Sequence, residues 1–309
     1  MYVKWDDARI ALIDEVGTKS HYLSKLTRLG LRTPAGFTLT TGAFMDFIAA
    51  NGIYDNLTEL LVNLPCQPEG IKETTQRIGE LFVETKIPAG IIKAITSACN
   101  LLAVKENTTF AIRSSSVRED LAQASFAGLY DTYLNAAFGD ELIENVKGCW
   151  QSSFSLRALT YLKRLGLQIK DPKDMAIAVI IQKMIKASFA GVMFTVNPST
   201  GDASKILIEY SAGLGERVVS GEITPHSILI DKITNQGSAN LLEERYVLQL
   251  SSIAKRIENH FGCYQDIEWA IDSDSSEVII LQTRPETVWN KRHQVPFHKQ
   301  GQTVFNCNY

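Results

Sequence analysis

What this 309-residue chain lacks narrows its chemistry before any motif is read. Its five cysteines (Cys66, Cys99, Cys149, Cys263, Cys307) are odd in number, widely spaced and never paired as CxxC. That pattern fits reduced thiols in a cytoplasmic protein and neither a disulfide frame nor a zinc site. No cysteine stands beside a candidate His–Asp pair, so a thiol nucleophile is not supported. The five histidines (His21, His226, His260, His293, His298) show no metal-ligand spacing and no Ser–Asp companion. No basic block or stripe occurs, and the net charge of −3 gives nucleic acid and anionic membrane no electrostatic footing. The longest uncharged apolar stretch, Met175 to Ile181, is far too short to span a bilayer. Met1-Tyr2-Val3-Lys4-Trp5-Asp6-Asp7 has no apolar signal core, which argues against export. Internal repeats and low-complexity tracts are missing as well. Gly17-Thr18-Lys19-Ser20 is not a P-loop, and Gly213-Leu214-Gly215-Glu216 lacks the spacing of a dinucleotide fingerprint.

What is present is the composition of an ordinary globular enzyme, 45% hydrophobic and 21% charged. The length allows a sizeable core in one two-part unit or two domains. Ser20 is expected to open a helix in which Leu23, Leu26 and Leu29 share a face, and a second helix starts near Thr41. Leu57 to Lys105 reads as helices broken at Pro65, Pro68 and Pro88. Thr109 to Ile112 reads as a short strand ending at Arg113, and Trp150, Phe154, Ala158, Tyr161 and Leu162 recur as a helical core stripe. After Asp171-Pro172 six strands are predicted, with one helix around Leu248 to Phe261. The fold class is therefore α+β. A helix-rich N-terminal lobe is expected over 1–172 and a mostly antiparallel lobe over 173–289, joined near 170–174. Residues 290–309 are expected to form a linker or tail.

The densest chemistry lies near the C-terminus. Asp266-Ile267-Glu268-Trp269-Ala270-Ile271-Asp272 and Val278-Ile279-Ile280-Leu281-Gln282 read as the two strands of a hairpin. Residues two apart on a strand share one face, so Asp266, Glu268, Gln282 and Arg284 are expected together. Carboxylate and amide oxygens suit a hard cation, and an arginine fork suits phosphate, which together describe a metal–nucleotide site. A solvated hairpin face is the plain alternative, and the flanking apolar runs weigh against it.

Four smaller constellations stay open on their own residues. Gly17-Thr18-Lys19-Ser20 places backbone N–H groups and Lys19 at a helix start, a phosphate site or an ordinary turn. Arg113-Ser114-Ser115-Ser116 offers a fork and three hydroxyls to phosphate, or is a Ser-rich turn. The loop Ser125 to Thr132 has Gly128 for close backbone approach and the Thr132 hydroxyl. Gln182 interrupts an apolar strand, and its buried amide must bond to an adenine edge or to neighbouring backbone.

Four stretches together resemble one family: Gly17-Thr18-Lys19 with Thr33-Pro34-Ala35-Gly36-Phe37; Arg113-Ser114-Ser115 through Ser125-Phe126-Ala127-Gly128 and Asp131-Thr132; Ala190-Gly191-Val192-Met193-Phe194-Thr195 with Gly213-Leu214-Gly215-Glu216; and Asp266-Ile267-Glu268-Trp269 with Leu281-Gln282-Thr283-Arg284-Pro285. From about Gly17 to Trp289 the chain resembles the N-terminal nucleotide-binding domain of phosphoenolpyruvate synthase and pyruvate, phosphate dikinase, which rifampicin phosphotransferase and phenylphosphate synthase share. The resemblance implies an ATP-grasp fold holding ATP and Mg²⁺ between two lobes. It implies a histidine on a separate domain that attacks the β-phosphate, giving AMP and a phosphohistidine that serves pyruvate, an antibiotic or a phenol. By the same resemblance Lys19 and Arg113 bind phosphates under the loop of Gly128 and Thr132, and Gln182 lies at the adenine. Glu268 and Gln282 hold the metal with Asp266 beside them, and Arg284 neutralises the transferring group. The chain has Gly17-Thr18-Lys19-Ser20 where the family usually shows Gly-Gly-Lys-Gly. It contains no Thr-Ser-His-Ala-like segment, so it is expected to act as an excised domain or subunit beside a histidine-bearing partner. A nucleotide-sensing module without transfer is the rival from another class.

Overall fold

β-branched and aromatic runs build two antiparallel sheets in this computed structural model, which describes residues 2–5, 11–102, 108–117, 120–121, 124–125, 128–213, 224–237 and 241–292. The chain divides into two compact units, Met1–Ser24 with Ala35–Met184, and Lys25–Pro34 with Ile185–Tyr309. Helix α1 (Ile13–Arg28) is shared in sequence, its last turn belonging to the second unit.

The first unit is built on strands β1 (Val3–Trp5), β2 (Gly36–Leu39), β3 (Thr109–Ser116), β6 (Thr132–Ala137) and β7 (Ile177–Lys183). Their order is β1-β2-β7-β3-β6, with every pair antiparallel. A two-stranded ribbon, β4 (Asp120–Leu121) and β5 (Ala124–Ser125), stands apart. One face of the sheet, carrying Phe37, Leu39, Phe110, Ile112, Ile177, Val179 and Ile181, is buried in the helical core. The helices are α2 (Thr41–Ala50), α3 (Tyr54–Val62), α4 (Pro68–Val83), α5 (Ala89–Leu101), α6 (Asp140–Ser152) and α7 (Leu156–Arg164). Pro68 opens α4, where a missing N–H costs nothing, and Ile71, Ile78 and Phe82 form its buried stripe. Phe47 packs on Trp150 with ring centroids 4.9 Å apart. Burial of each such ring contributes roughly 1.5–3 kcal/mol.

In the second unit the order is β10 (His226–Asp231), β9 (Lys205–Ala212), β8 (Ala187–Phe194), β11 (Gln265–Asp272) and β12 (Val278–Pro285). Helix α8 (Glu244–Phe261) buries Tyr246, Val247, Leu250, Ala254 and Ile257 and stops at Gly262 in the left-handed region (φ 69°). The sheet's aliphatic residues, among them Ile206, Ile208, Ile228, Met193 and Ile267, are fully buried or nearly so. A short helix α9 (Trp289–Arg292) follows β12.

The class is α+β as the sequence predicts. The division falls after Met184, and the join expected near 170–174 instead carries a capped 3₁₀ turn (Pro172–Met175). The reason is hydrogen bonding: β7 pairs with β2 and β3 and so belongs to the first sheet. Helix α1 starts at Ile13, ahead of Ser20, and is kinked at Gly17 (φ 72°, ψ 171°). At the expected tail, Asn290 is ordered by two bonds to Tyr264, donating to its carbonyl at 2.8 Å and accepting from its N–H at 2.9 Å. Residues 293–309, including His293, His298 and Cys307, lie outside the described residues. Among the described residues no helix is long and apolar enough to cross a membrane.

Candidate nucleotide and metal residues

Away from the helical core, the first sheet presents a second face, and pairing register decides what stands there. Gln182 pairs with Ala111 and Arg113 with Ile180 across β7 and β3, while Arg113 pairs with Thr132 across β6. Paired residues and residues two apart share a face, so Arg113, Thr132 and Gln182 are brought onto one side. α1 lies against the same side, with its Ser20 hydroxyl 2.6 Å from that of Thr38 and its Ser20 N–H donating to Ser115 Oγ. Lys19 Nζ donates to the Ser114 carbonyl at 3.3 Å, which brings the lysine alongside β3. Gly17 permits this approach: it has positive φ, and a Cβ there would be driven into the Ser115 carbonyl oxygen.

Thr132 reaches the Arg113 side through a bulge. Phe110 pairs with Ala136 and Ile112 with Tyr133, so Leu134 and Asn135 together oppose Ala111. Asn135 takes the left-handed conformation (φ 59°) that such an extra residue needs.

The three serines after Arg113 do not form a turn. They continue β3, all buried, paired with Val179, Ala178 and Ile177. Ser114 Oγ donates to the Asp131 carbonyl at 2.9 Å, and Ser115 Oγ accepts from Ser20. Gly128 has φ 70° and nothing within 4 Å of where a Cβ would stand. Its neighbours Phe126 and Ala127 lie outside the described residues.

Gln182 is 1% exposed, and its Nε2 has no hydrogen-bond partner in the structure. A buried amide donor without a partner costs about 1–3 kcal/mol, which a ligand acceptor would recover. Gly36 stands opposite Gln182, and a Cβ on it would lie 2.6 Å from Gln182 Cγ.

In the second unit the hairpin expected from the sequence forms. Asp266 pairs with Arg284 and Glu268 with Gln282, so all four residues share a face. A register shift follows between Glu268 and Trp269. Arg284 donates to Asp266 Oδ2 from Nε at 2.8 Å and from Nη2 at 2.6 Å. Burial nevertheless holds the Asp266 carboxyl above the usual range, outweighing Arg284; Glu268 and Glu286 push it the same way. The row continues across the sheet, since Glu268 pairs with Val192 and Val192 with Glu209. Glu209 thus shares the face, a placement that only register reveals.

Among the described residues no group of three or more His, Cys, Asp or Glu could hold a metal ion. Magnesium is commonly held by one or two carboxylates plus substrate oxygens and water. The Glu268 carboxylate with the facing Gln282 amide oxygen fits that smaller requirement. Burial pushes the Cys99 and Cys149 thiols up to about 12, which leaves both inert at neutral pH. A cavity of about 490 Å³ among α2, α3 and α4, lined by Asn51, Glu59, Arg77, Glu80 and Glu84, contains none of these site residues.

A family profile described as pyruvate phosphate dikinase, AMP/ATP-binding domain, matches residues 13–240 and 233–303. The phosphoenolpyruvate synthase of Aeropyrum pernix is 31% identical, over 94% of this chain and 42% of its own length. A probable phosphoenolpyruvate synthase of Methanothermobacter thermautotrophicus is 35% identical, over 91% of this chain and 44% of its own. The rifampicin phosphotransferase of Bacillus cereus is 33% identical, over 88% of this chain and 34% of its own. The chain therefore spans less than half the length of each of these relatives.

Proposed function

This chain belongs to the family of pyruvate phosphate dikinase AMP/ATP-binding domains, and from that premise we propose that it binds ATP with Mg²⁺ and passes a phosphoryl group to a histidine on a separate domain or chain. The fold is α+β of the ATP-grasp type, each unit built on its own antiparallel sheet. The phosphohistidine would then serve pyruvate or another small acceptor.

The observation that carries the reading is Gln182, a buried amide whose donor has no protein partner on the face that also bears Arg113 and Thr132. In the proposed arrangement that donor meets an adenine ring nitrogen. Lys19 and Arg113 hold phosphate oxygens, Lys19 as a point charge and Arg113 as a fork. Thr132 adds a hydroxyl donor beside Arg113. Glu268 and Gln282 hold the metal, which when bound neutralises charge on the phosphate oxygens. Arg284 offsets charge on the transferring group, and its two hydrogen bonds to Asp266 fix the guanidinium plane. These side chains position and neutralise; none becomes covalently modified.

Two measurements test the reading. Gln182→Leu should weaken ATP binding about tenfold without lowering the melting temperature, because an unpaired buried donor is exchanged for an apolar group of similar size. A variant that binds ATP normally, or that loses stability instead, removes Gln182 from the adenine. Label exchange between AMP and ATP in the presence of a histidine-bearing partner tests transfer. Tight nucleotide binding with no exchange would identify a sensing module instead.

A further inference from the structure

The geometry points to Arg157 as a positioning residue that fixes the segment between Gly128 and Thr132, an inference resting on the nucleotide reading above. Arg157 lies in the first turn of α7, whose start is fixed by the Ser155 side chain accepting from the Ala158 N–H. Its guanidinium donates to the Leu129 carbonyl at 3.1 Å and stands 3.6 Å from Asp131 Oδ1. The Asp131 carbonyl is held separately, by Ser114 Oγ at 2.9 Å and by Cys149 Sγ at 3.7 Å. Thr132, the next residue, is locked into the sheet opposite Arg113.

The result is a segment anchored at one end by the sheet and near its middle by one arginine. Gly128, just beyond, is exposed, with positive φ and open space around it. Sheet pairing fixes Thr132 but does not reach the Leu129 carbonyl. Without Arg157 that carbonyl would lose its bond, while the Tyr130 hydroxyl keeps its contact with Ser116 Oγ at 3.5 Å and Asp131 keeps its carbonyl bonds. The ion pair is half exposed and by itself contributes little. The bond to the Leu129 carbonyl matters more, because it orders backbone that Asp131 cannot reach. Arg157 touches none of the proposed ligand-holding side chains; it acts through the segment.

The test compares the chain with Arg157→Ala and Arg157→Lys. Lysine keeps the charge on a shorter side chain without the guanidinium plane, so its ammonium replaces the bond to the Leu129 carbonyl only in part. Chymotrypsin cleavage after Leu129 or Tyr130, located by mass, reads local opening without any ligand. Titration with Mg·ATP reads the consequence for the site. For Arg157→Ala, cleavage at these bonds should rise and ATP affinity fall, each about tenfold, with an unchanged melting temperature. Arg157→Lys should fall between. Unchanged cleavage overturns the inference, and so does increased cleavage with unchanged affinity. If the unsubstituted chain binds no Mg·ATP, the nucleotide reading itself fails, and the inference falls with it. An error about Arg157 alone shows instead as normal binding by the alanine variant.

Discussion

Glu268→Ala is expected to lower Mg-dependent phosphoryl transfer about 10³-fold, the loss of several kcal/mol of charge stabilisation. Its melting temperature should move by no more than about 2 °C. Glu268 stands opposite Gln282 on a half-buried face, and no core volume is removed. The substitution also takes away one of the charges that hold the Asp266 carboxyl up, so the local electrostatics improve in the folded state. Glu268→Gln keeps shape and loses charge, and should lose almost as much activity. Label transfer and thermal melting measured on the same preparations decide it: a folded variant with near-normal Mg-dependent activity removes Glu268 from the metal pair.

Arg284→Ala is expected to lower transfer about 10³-fold and, unlike Glu268→Ala, to destabilise the fold by about 2 kcal/mol at pH 7. The second effect comes from Asp266, whose side chain is 13% exposed and accepts both bonds from Arg284. With the arginine gone, a largely buried carboxylate has lost its cation. Its pKa is already raised by burial, and Arg284 is what lowers it. The folded protein therefore binds a proton at Asp266 more tightly than the unfolded chain does. Stability is then greatest below the unfolded value near 3.8 and falls as pH rises through the raised folded value. Removing Arg284 raises that value further and deepens the loss. The variant should thus regain stability on acidification from neutral pH, and Asp266→Asn in the same background should restore it at pH 7. Urea unfolding at a series of pH values reads both; a variant whose deficit is independent of pH would show that the pair is not the source.

Strand-scale features were legible in the sequence where one rule dominates. The hairpin of Asp266 to Gln282 could be read because period-two alternation and a short Ser-rich turn agree, but the one-residue shift between Glu268 and Trp269 that sets Glu268 opposite Gln282 gave no signal. Helices α3 to α5 could be read because prolines punctuate them. The first sheet was only partly visible. β1 and β2 are three and four residues long, too short for periodicity to register, and β2 exists because Gly36 lets β7 approach. The end of β3 is expected at Arg113 because serine favours turns locally, whereas here the strand runs on to Ser116 and the hydroxyls of Ser115 and Ser114 bond to Ser20 and Asp131 inside the protein. The orphaned Gln182 amide could be flagged as a problem but not solved, since an unsatisfied donor is a property of its surroundings. Arg157 gave no signal at all, because its partners, the Leu129 carbonyl and the Asp131 carboxylate, lie more than twenty residues earlier.

Strand β6 is six residues long, yet its two ends are read in different frames. Ala136 is counted from the helical core, Thr132 from the opposite side, and the extra residue at Leu134 and Asn135 is where the count slips. Pairing every residue one-for-one from Ala136 onward, with none set aside, would leave every side chain chemically the same. It would nonetheless bring Tyr133 opposite Arg113 and Thr132 opposite Ser114, on the core side. Here the arithmetic of the backbone, odd or even, decides whether a hydroxyl or an aromatic ring stands beside the arginine.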